Sequence, residues 1–159
     1  MNIRIICIGS LKETYWKQAC NEYLTRLKPY ANVEIVECPD YPSKENATLA
    51  MEEGVKEKEA ERVLKLLKPQ DYVIALDLNR QEYTSPEFAS SMESWFVKGG
   101  SSITFMIGGS LGLADSLKKR ANMSICFGKM TFPHQLARVM LLEQIYRAFR
   151  ILHHEPYHK

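Results

Sequence analysis

A chain of 159 residues fits one domain, which at this length can bury about 68–70% of the surface that the extended chain exposes. The composition, 45% hydrophobic and 25% charged, is that of an ordinary soluble globular protein, and no apolar run approaches the roughly 20 residues of a membrane span. The net charge of +2 excludes a strong overall basic field, so an RNA partner would have to be recognised by a local patch or by shape.

The first half of the chain alternates strand and helix patterns. Gly9 ends the first apolar run, and Pro29 ends the first helical pattern because proline cannot continue a helix. The second helical pattern is rich in acid-before-base pairs such as Glu52 and Lys56, which predicts a solvated face that includes Glu59. The predicted elements are a strand over 3–8, a helix over 11–27, a strand over 33–36 and a helix over 47–67.

The second half continues this alternation. A polar loop over 77–83 follows the third strand, and Thr84 and Glu87 have the spacing of a capped helix start. The predicted elements are a strand over 72–76, a helix from Thr84, a strand over 103–107, a short helix over 113–119, a strand over 122–127 and a helix over 133–152. Five strands alternating with five helices predict an α/β fold in one domain, with a mainly parallel sheet covered on both faces.

A glycine-rich turn over 108–112 follows the fourth strand and has three interpretations. Its GGSLG sequence matches the nucleophile elbow of a serine hydrolase, with Ser110 as nucleophile. It is equally the turn from a strand to a helix that needs glycine's conformational freedom. We favour a third interpretation, a turn whose backbone contacts a cofactor. If the turn were a nucleophile elbow, the triad partners of Ser110 would come from Asp115, His134, His153, His154 and His158.

The loop over 127–134 follows the fifth strand and carries groups suited to a ligand. Gly128 removes a side chain, Lys129 brings a charge, and Thr131 can cap or bind. In open α/β sheets, ligands bind beyond the carboxyl ends of the strands, where this loop and the glycine turn would meet. Pro133 suits the first turn of the following helix, where Glu143 and Arg147 are spaced to pair.

The four cysteines lie far apart and include no CxxC pair, which argues against a zinc site and against a disulfide framework. We therefore expect buried, reduced thiols and no metal. The N-terminal run lacks the layout of a secretory signal, so a cytoplasmic protein without membrane association is expected.

Several motifs together resemble the RlmH family, which are small SPOUT methyltransferases of the large ribosomal subunit RNA. The resemblance runs the whole chain, and it rests on the joint spacing of IGGSLGL at 107–113, KMTFPHQLAR at 129–138, EQIYRA at 143–148 and the closing Tyr157-His158-Lys159.

The resemblance implies a SPOUT fold with a C-terminal trefoil knot, in which the cofactor region spans about 72–159. It also implies a homodimer with S-adenosylmethionine (S-adenosyl-L-methionine) as methyl donor. The implied reaction methylates ring nitrogen 3 of a pseudouridine in 23S rRNA on the assembled ribosome. A non-catalytic nucleotide-binding protein associated with the ribosome stays open as an alternative, as does the serine hydrolase.

By position in the family, the cofactor would be lined by Leu76, Gly108, Phe127, Gly128, Lys129, Met130, Thr131 and Phe132. The base would be faced by His134, Arg147, Tyr157, His158 and Lys159. Methyl transfer to the ring nitrogen requires loss of its proton, so our hypothesis takes His158 as the base, with Arg147 or Lys159 as its electrostatic partner. Gly128 stands where the family pattern has a serine, which removes one polar contact.

Overall fold

A five-stranded parallel sheet forms the centre of the computed structural model, which describes residues 1–78 and 80–159. Asn79, which falls within the predicted loop 77–83, lies outside the described residues. In chain order the elements are β1 Asn2–Ile8, α1 Thr14–Leu27, β2 Asn32–Cys38, α2 Leu49–Leu66, β3 Val73–Leu76, α3 Ser85–Lys98, β4 Ser102–Ile107, α4 Asp115–Arg120, β5 Met123–Ile125 and α5 His134–Leu152.

The sheet has the strand order β2-β1-β4-β3-β5, and every neighbouring pair is parallel. The predicted alternation of five strands and five helices is confirmed. Because β3 lies between β4 and β5, the carboxyl ends of these three strands are side by side. Their following loops therefore share one edge of the sheet, which is where a ligand site is expected.

Helices cover both faces of the sheet and bury a core on each. On one face, α1, α3 and α5 enclose a core that includes Ile5, Phe105 and Phe149. On the other, α2 and α4 pack over a smaller core that includes Val63 and Met106. Burial on both faces explains why the strands read as continuous apolar runs rather than as alternating ones.

Local chemistry sets the element ends. The predicted capping box is confirmed: the Thr84 hydroxyl accepts from the Glu87 N–H, and the Glu87 carboxylate accepts from the Thr84 N–H. β5 is shorter than predicted because the chain turns at Cys126, whose thiol donates to the Gly128 carbonyl at 2.8 Å. α1 begins at Thr14, later than predicted, and in the segment before it the Leu11 N–H donates to Glu37.

Two predictions about polar and sulfur groups have opposite outcomes. The four cysteines are free and buried, as predicted, and burial raises the pKa of Cys7 to about 12. The prediction that α2 presents a solvated face is wrong at Glu59, which is only 3% exposed. Its carboxylate accepts from the Tyr41 N–H at 3.1 Å, and burial raises its pKa. The hydrogen bond, which the charge pattern could not predict, holds the chain after β2 against α2.

Among the described residues, no helix combines the length and apolar character needed to cross a bilayer. Within the same residues, no group of three or more His, Cys, Asp or Glu side chains is arranged to hold a metal ion.

Candidate active site

A cleft of about 700 Å³ opens at the shared carboxyl edge of β3, β4 and β5. This volume lies within the roughly 300–1,000 Å³ of small-molecule sites. Its walls come from the loops after these strands, from the start of α5 and, on one side, from α2 and α4. Seven of the eight predicted cofactor residues line it, namely Leu76, Gly108, Phe127, Gly128, Met130, Thr131 and Phe132. Lys129 is exposed on the same loop but lies outside the lining.

The glycine turn after β4 forms one wall of the cleft. The Gly112 N–H donates to the Gly109 carbonyl at 3.0 Å, which closes the turn. A Cβ atom on Gly108 would lie 2.7 Å from the Gly112 carbonyl carbon, closer than real Cβ atoms approach. Glycine is therefore required at position 108 by the close approach of two backbone segments, and the cleft is bounded there by bare peptide groups.

Within residues 1–78 and 80–159, no histidine forms a hydrogen bond with Ser110, so these residues do not assemble a serine hydrolase triad. Ser110 is exposed at the tip of the turn. His134 lines the same cleft, but its ring packs against Gly9 and its buried Nδ1 atom has no hydrogen-bond partner. A nucleophilic serine needs an imidazole that accepts its proton and is itself oriented by an acid. Without such an oriented base, the GGSLG match is a backbone turn.

His134 begins α5 and occupies the end of the cleft next to β1. The His134 ring lies so close to Gly9 that a Cβ atom there would approach its Cε1 atom to 3.0 Å. Gly9 has a φ of 103°, a backbone conformation that residues other than glycine rarely adopt. Burial, and secondarily the charge of Arg138, lower the pKa of His134 below 6.5. The imidazole is therefore held neutral against the cleft wall.

Arg138, one turn further along α5, is the largest polar side chain in the core, and its residue is only 2% exposed. Its guanidinium donates to Glu37 Oε2 at 2.8 Å and to the Gly9 carbonyl at 3.2 Å. It therefore joins the ends of β1 and β2 to α5, immediately beside His134. This role of Arg138 was not predicted from the sequence, although its spacing of four from His134 was a usable signal, since it places both residues on one helix face.

The neutral state of His134 predicts a pH dependence of stability. The unfolded chain takes up a proton near the ordinary pKa of about 6.5, whereas the folded chain takes it up only at lower pH. The contribution of His134 is therefore present above that value and is lost as the pH falls. Urea unfolding gives the free energy of unfolding at about pH 7.5 and at about pH 5.5. Between these two pH values, this free energy is expected to fall less for His134→Asn than for the parent protein.

The exposed His153 provides the control for this experiment, because its replacement by asparagine removes an imidazole without removing the buried one. An identical acid-induced loss of stability in the parent and in His134→Asn would contradict the prediction.

The predicted base-facing residues other than His134 form a separate cluster at the far end of α5. Arg147 donates to Glu143 Oε1 at 2.6 and 3.0 Å, which confirms the predicted pair. The Tyr157 hydroxyl donates to the same oxygen at 3.1 Å, and Arg147 lies over its ring at 4.6 Å. The His158 Nδ1 atom is 3.3 Å from the Arg147 guanidinium. Lys159 is exposed beyond it.

The tail is anchored, not frayed. Arg150 pairs with Glu155 and donates to the Pro156 carbonyl at 2.8 Å, while the Tyr30 hydroxyl donates to Glu155 at 2.6 Å. The Tyr157 ring packs edge-on against Tyr146 at 4.9 Å. These contacts present His158 on a fixed scaffold at the surface.

A second cleft, of about 420 Å³, lies between α1, α3 and α5 and includes Glu143, the partner of Arg147. It shares the wall formed by Ile125, Cys126 and Phe127 with the first cleft. His134 and Arg147 are about 20 Å apart along α5, at about 1.5 Å per residue. Within one chain, the structure therefore brings together His134 and the predicted cofactor loops, but it does not bring the tail to them.

Comparisons with known proteins identify a family model and relatives that span the chain. A family model described as "Predicted SPOUT methyltransferase" matches residues 1–158. A protein of Clostridium acetobutylicum named "Ribosomal RNA large subunit methyltransferase H" is 52% identical over the full length of both chains. A protein of Clostridium perfringens, "Ribosomal RNA large subunit methyltransferase H 1", is 54% identical over the same extent. Its counterpart from Desulforamulus reducens is 48% identical over 159 residues, all of this chain and 99% of the relative.

The family model covers nearly the whole chain, and the relatives are about half identical to it from end to end. The structure adds a parallel sheet with a cleft at its carboxyl edge. The chain is a methyltransferase and belongs to the RlmH family of SPOUT methyltransferases.

Proposed function

We propose that this protein transfers the methyl group of S-adenosylmethionine to ring nitrogen 3 of a pseudouridine in the 23S rRNA of the assembled ribosome. The observation that carries the proposal is the cleft at the ends of β3, β4 and β5, lined by the residues that the family resemblance assigns to the donor. Residues about 72–159 would form the knotted cofactor region of a single domain. A ribosomal substrate also implies a cytoplasmic enzyme.

The lining of the cleft fits an adenosyl donor. Apolar side chains such as Leu76 and Phe127 suit a purine ring, and the bare peptide groups at Gly108 and Gly128 offer hydrogen bonds to it. When bound, S-adenosylmethionine supplies an electrophilic methyl group on a sulfonium. What the protein adds is chiefly positioning, which can contribute about 7–11 kcal/mol to lowering a barrier.

The tail cluster supplies the groups that proton removal needs. Arginine only donates, so a hydrogen bond across the 3.3 Å between the Arg147 guanidinium and the His158 Nδ1 atom requires Nδ1 to be the acceptor. For Nδ1 to take the proton of the target nitrogen, Arg147 must leave it. The freed guanidinium would then donate to the imide oxygen on which negative charge develops. The proton of the target nitrogen would end on His158. The new bond would join that nitrogen to the methyl carbon while the bond between this carbon and the donor's sulfur breaks, which leaves S-adenosylhomocysteine.

We further infer that the enzyme acts as a homodimer in which the tail of one subunit completes the cleft of the other. Two observations support this. The tail lies about 20 Å along α5 from His134 in its own chain, at about 1.5 Å per residue. The second cleft, beside the tail, shares a wall with the cofactor cleft, so a partner chain seated there would adjoin both.

Mixing two inactive variants tests this arrangement. Gly108→Ala should disable the cofactor cleft because its Cβ would displace the turn, and His158→Ala should disable the tail. If the tail acts on the partner's cleft, each mixed dimer keeps one complete site, and methyl transfer returns on co-refolding. If the tail acts on its own cleft, no mixed dimer has a complete site. The control is each variant refolded alone, and continued inactivity of the mixture would contradict the arrangement.

The function itself is tested by mass spectrometry of 23S rRNA from cells that lack the protein. One pseudouridine should lack its methyl group, and the purified protein should restore it on isolated ribosomes. With a net charge of only +2, recognition should depend on the shape of the ribosome, so protein-free rRNA should be a poor substrate. Unchanged methylation in the deletion cells would overturn the proposal, and donor binding without methyl transfer would indicate a non-catalytic binder.

A further inference from the structure

The cofactor cleft carries its fixed charges on one side. Among the described lining residues, these charges are Lys56 on α2, Asp77 after β3 and Lys118 on α4. The rest of the lining consists of apolar side chains, peptide groups, small polar groups and the neutral His134. Because α2 and α4 cover the face of the sheet opposite α5, the charged side lies away from His134.

Asp77 and Lys118 form an incompletely neutralised group at this side. Lys118 Nζ lies 3.4 Å from Asp77 Oδ1, and Arg80 Nε donates to the other oxygen, Oδ2, at 3.0 Å. Two cations therefore share one carboxylate, which leaves an excess of positive charge. A distance of 3.4 Å is long for a charge-assisted hydrogen bond, and an ammonium group has three donors, so Lys118 keeps the capacity to bind a second anion.

Lys56 is the less suitable cation. Its ammonium lies 2.6 Å from Glu53 on the same helix, so its charge is already balanced at short range. The Lys118 side chain has a flexible stem, is 30% exposed and lines the cleft, whereas the Asp77 side chain is only 9% exposed and is held between two cations. A fixed acceptor beside an adaptable donor is the pair that a ligand carrying one anion and one cation requires.

We propose that Asp77 and Lys118 bind the amino-acid end of the methyl donor, with Lys118 donating to its α-carboxylate and Asp77 accepting from its α-ammonium. The inference rests on the proposed function and adds to it the subsite that distinguishes the full donor from a bare adenosine derivative. The adenosine portion needs no charged partner and matches the uncharged part of the lining.

Calorimetry with three ligands tests the assignment directly, without an activity assay. S-adenosylhomocysteine carries the whole amino-acid end but no sulfonium, whose charge would itself be repelled by Lys118. Its decarboxylated analogue lacks only the carboxylate, and 5′-methylthioadenosine lacks the amino-acid end. In Lys118→Met, binding of S-adenosylhomocysteine should weaken by about tenfold or more, the scale of a lost charged hydrogen bond, while the other two ligands change by less than about twofold.

Asp77→Asn separates the roles of the two residues. It should weaken the binding of both S-adenosylhomocysteine and its decarboxylated analogue, since each carries the ammonium. The affinity for 5′-methylthioadenosine should stay nearly unchanged. Lys119→Met is the matched control, because Lys119 is exposed on α4 and outside the cleft lining.

The result that overturns the inference is a Lys118→Met protein that binds S-adenosylhomocysteine as tightly as the parent, or that loses affinity for all three ligands equally. Failure of the proposed function looks different, because the unmodified protein would then bind none of the adenosyl ligands.

Discussion

Replacing His158 by alanine is expected to lower methyl transfer to ribosomes by about 100-fold or more, the usual contribution of a general base. His158 is exposed, and its described hydrogen bond is the 3.3 Å contact with Arg147. Its loss should therefore leave folding intact. Because the cofactor loops lie on a different part of the chain, binding of S-adenosylhomocysteine should also be unchanged. Single-turnover methylation and calorimetry on the same preparation measure the two effects separately.

Two further variants make this result specific. Deletion of residues 157–159 should reduce methyl transfer at least as much, since it also removes the aromatic ring under Arg147. His154→Asn is the matched control: His154 is exposed at the end of α5 with a φ of 55°, a conformation that asparagine tolerates. Activity of His158→Ala within a few-fold of the parent would remove the tail from the chemistry.

Much of the fold was predictable because the chain is locally consistent. Apolar runs, Pro29 and the Thr84–Glu87 box each specified an element that the structure contains. The position of the cleft followed from the same reasoning, since loops after parallel strands share one edge. The strand order was not predictable in this way, because which strands adjoin is decided by packing between elements far apart in the sequence.

The parts of the site that escaped prediction are those made by long-range pairing. A charged residue in a helical pattern is usually solvated, and neither Arg138 nor Glu59 departs from that pattern in its own neighbourhood. Their burial depends on partners more than a dozen residues away, Glu37 and the Tyr41 N–H. Likewise, the family resemblance assigns the tail residues and His134 to one site, whereas the length of α5 keeps them apart within one chain.

Breaking the buried ion pair between Arg138 and Glu37 should destabilise the protein asymmetrically. Glu37→Gln leaves the guanidinium, in a side chain only 2% exposed, without its counter-charge, so we expect a loss toward the lower end of the roughly 3–5 kcal/mol of such cases.

Arg138→Met removes the buried charge and fills its space, while Glu37, 42% exposed, can be hydrated. The remaining loss is the Gly9 carbonyl left without its donor, about 1–3 kcal/mol. The double variant should resemble Arg138→Met alone, because once the guanidinium is gone the second change affects only the exposed hydrogen bond from the Leu11 N–H, which the glutamine oxygen can still accept. Urea unfolding at one fixed protein concentration measures all three, since dimerisation would otherwise shift the midpoints. An Arg138→Met protein less stable than Glu37→Gln would mean that the guanidinium holds β1 to α5 mainly through its packing and its bond to Gly9, and that the counter-charge is secondary.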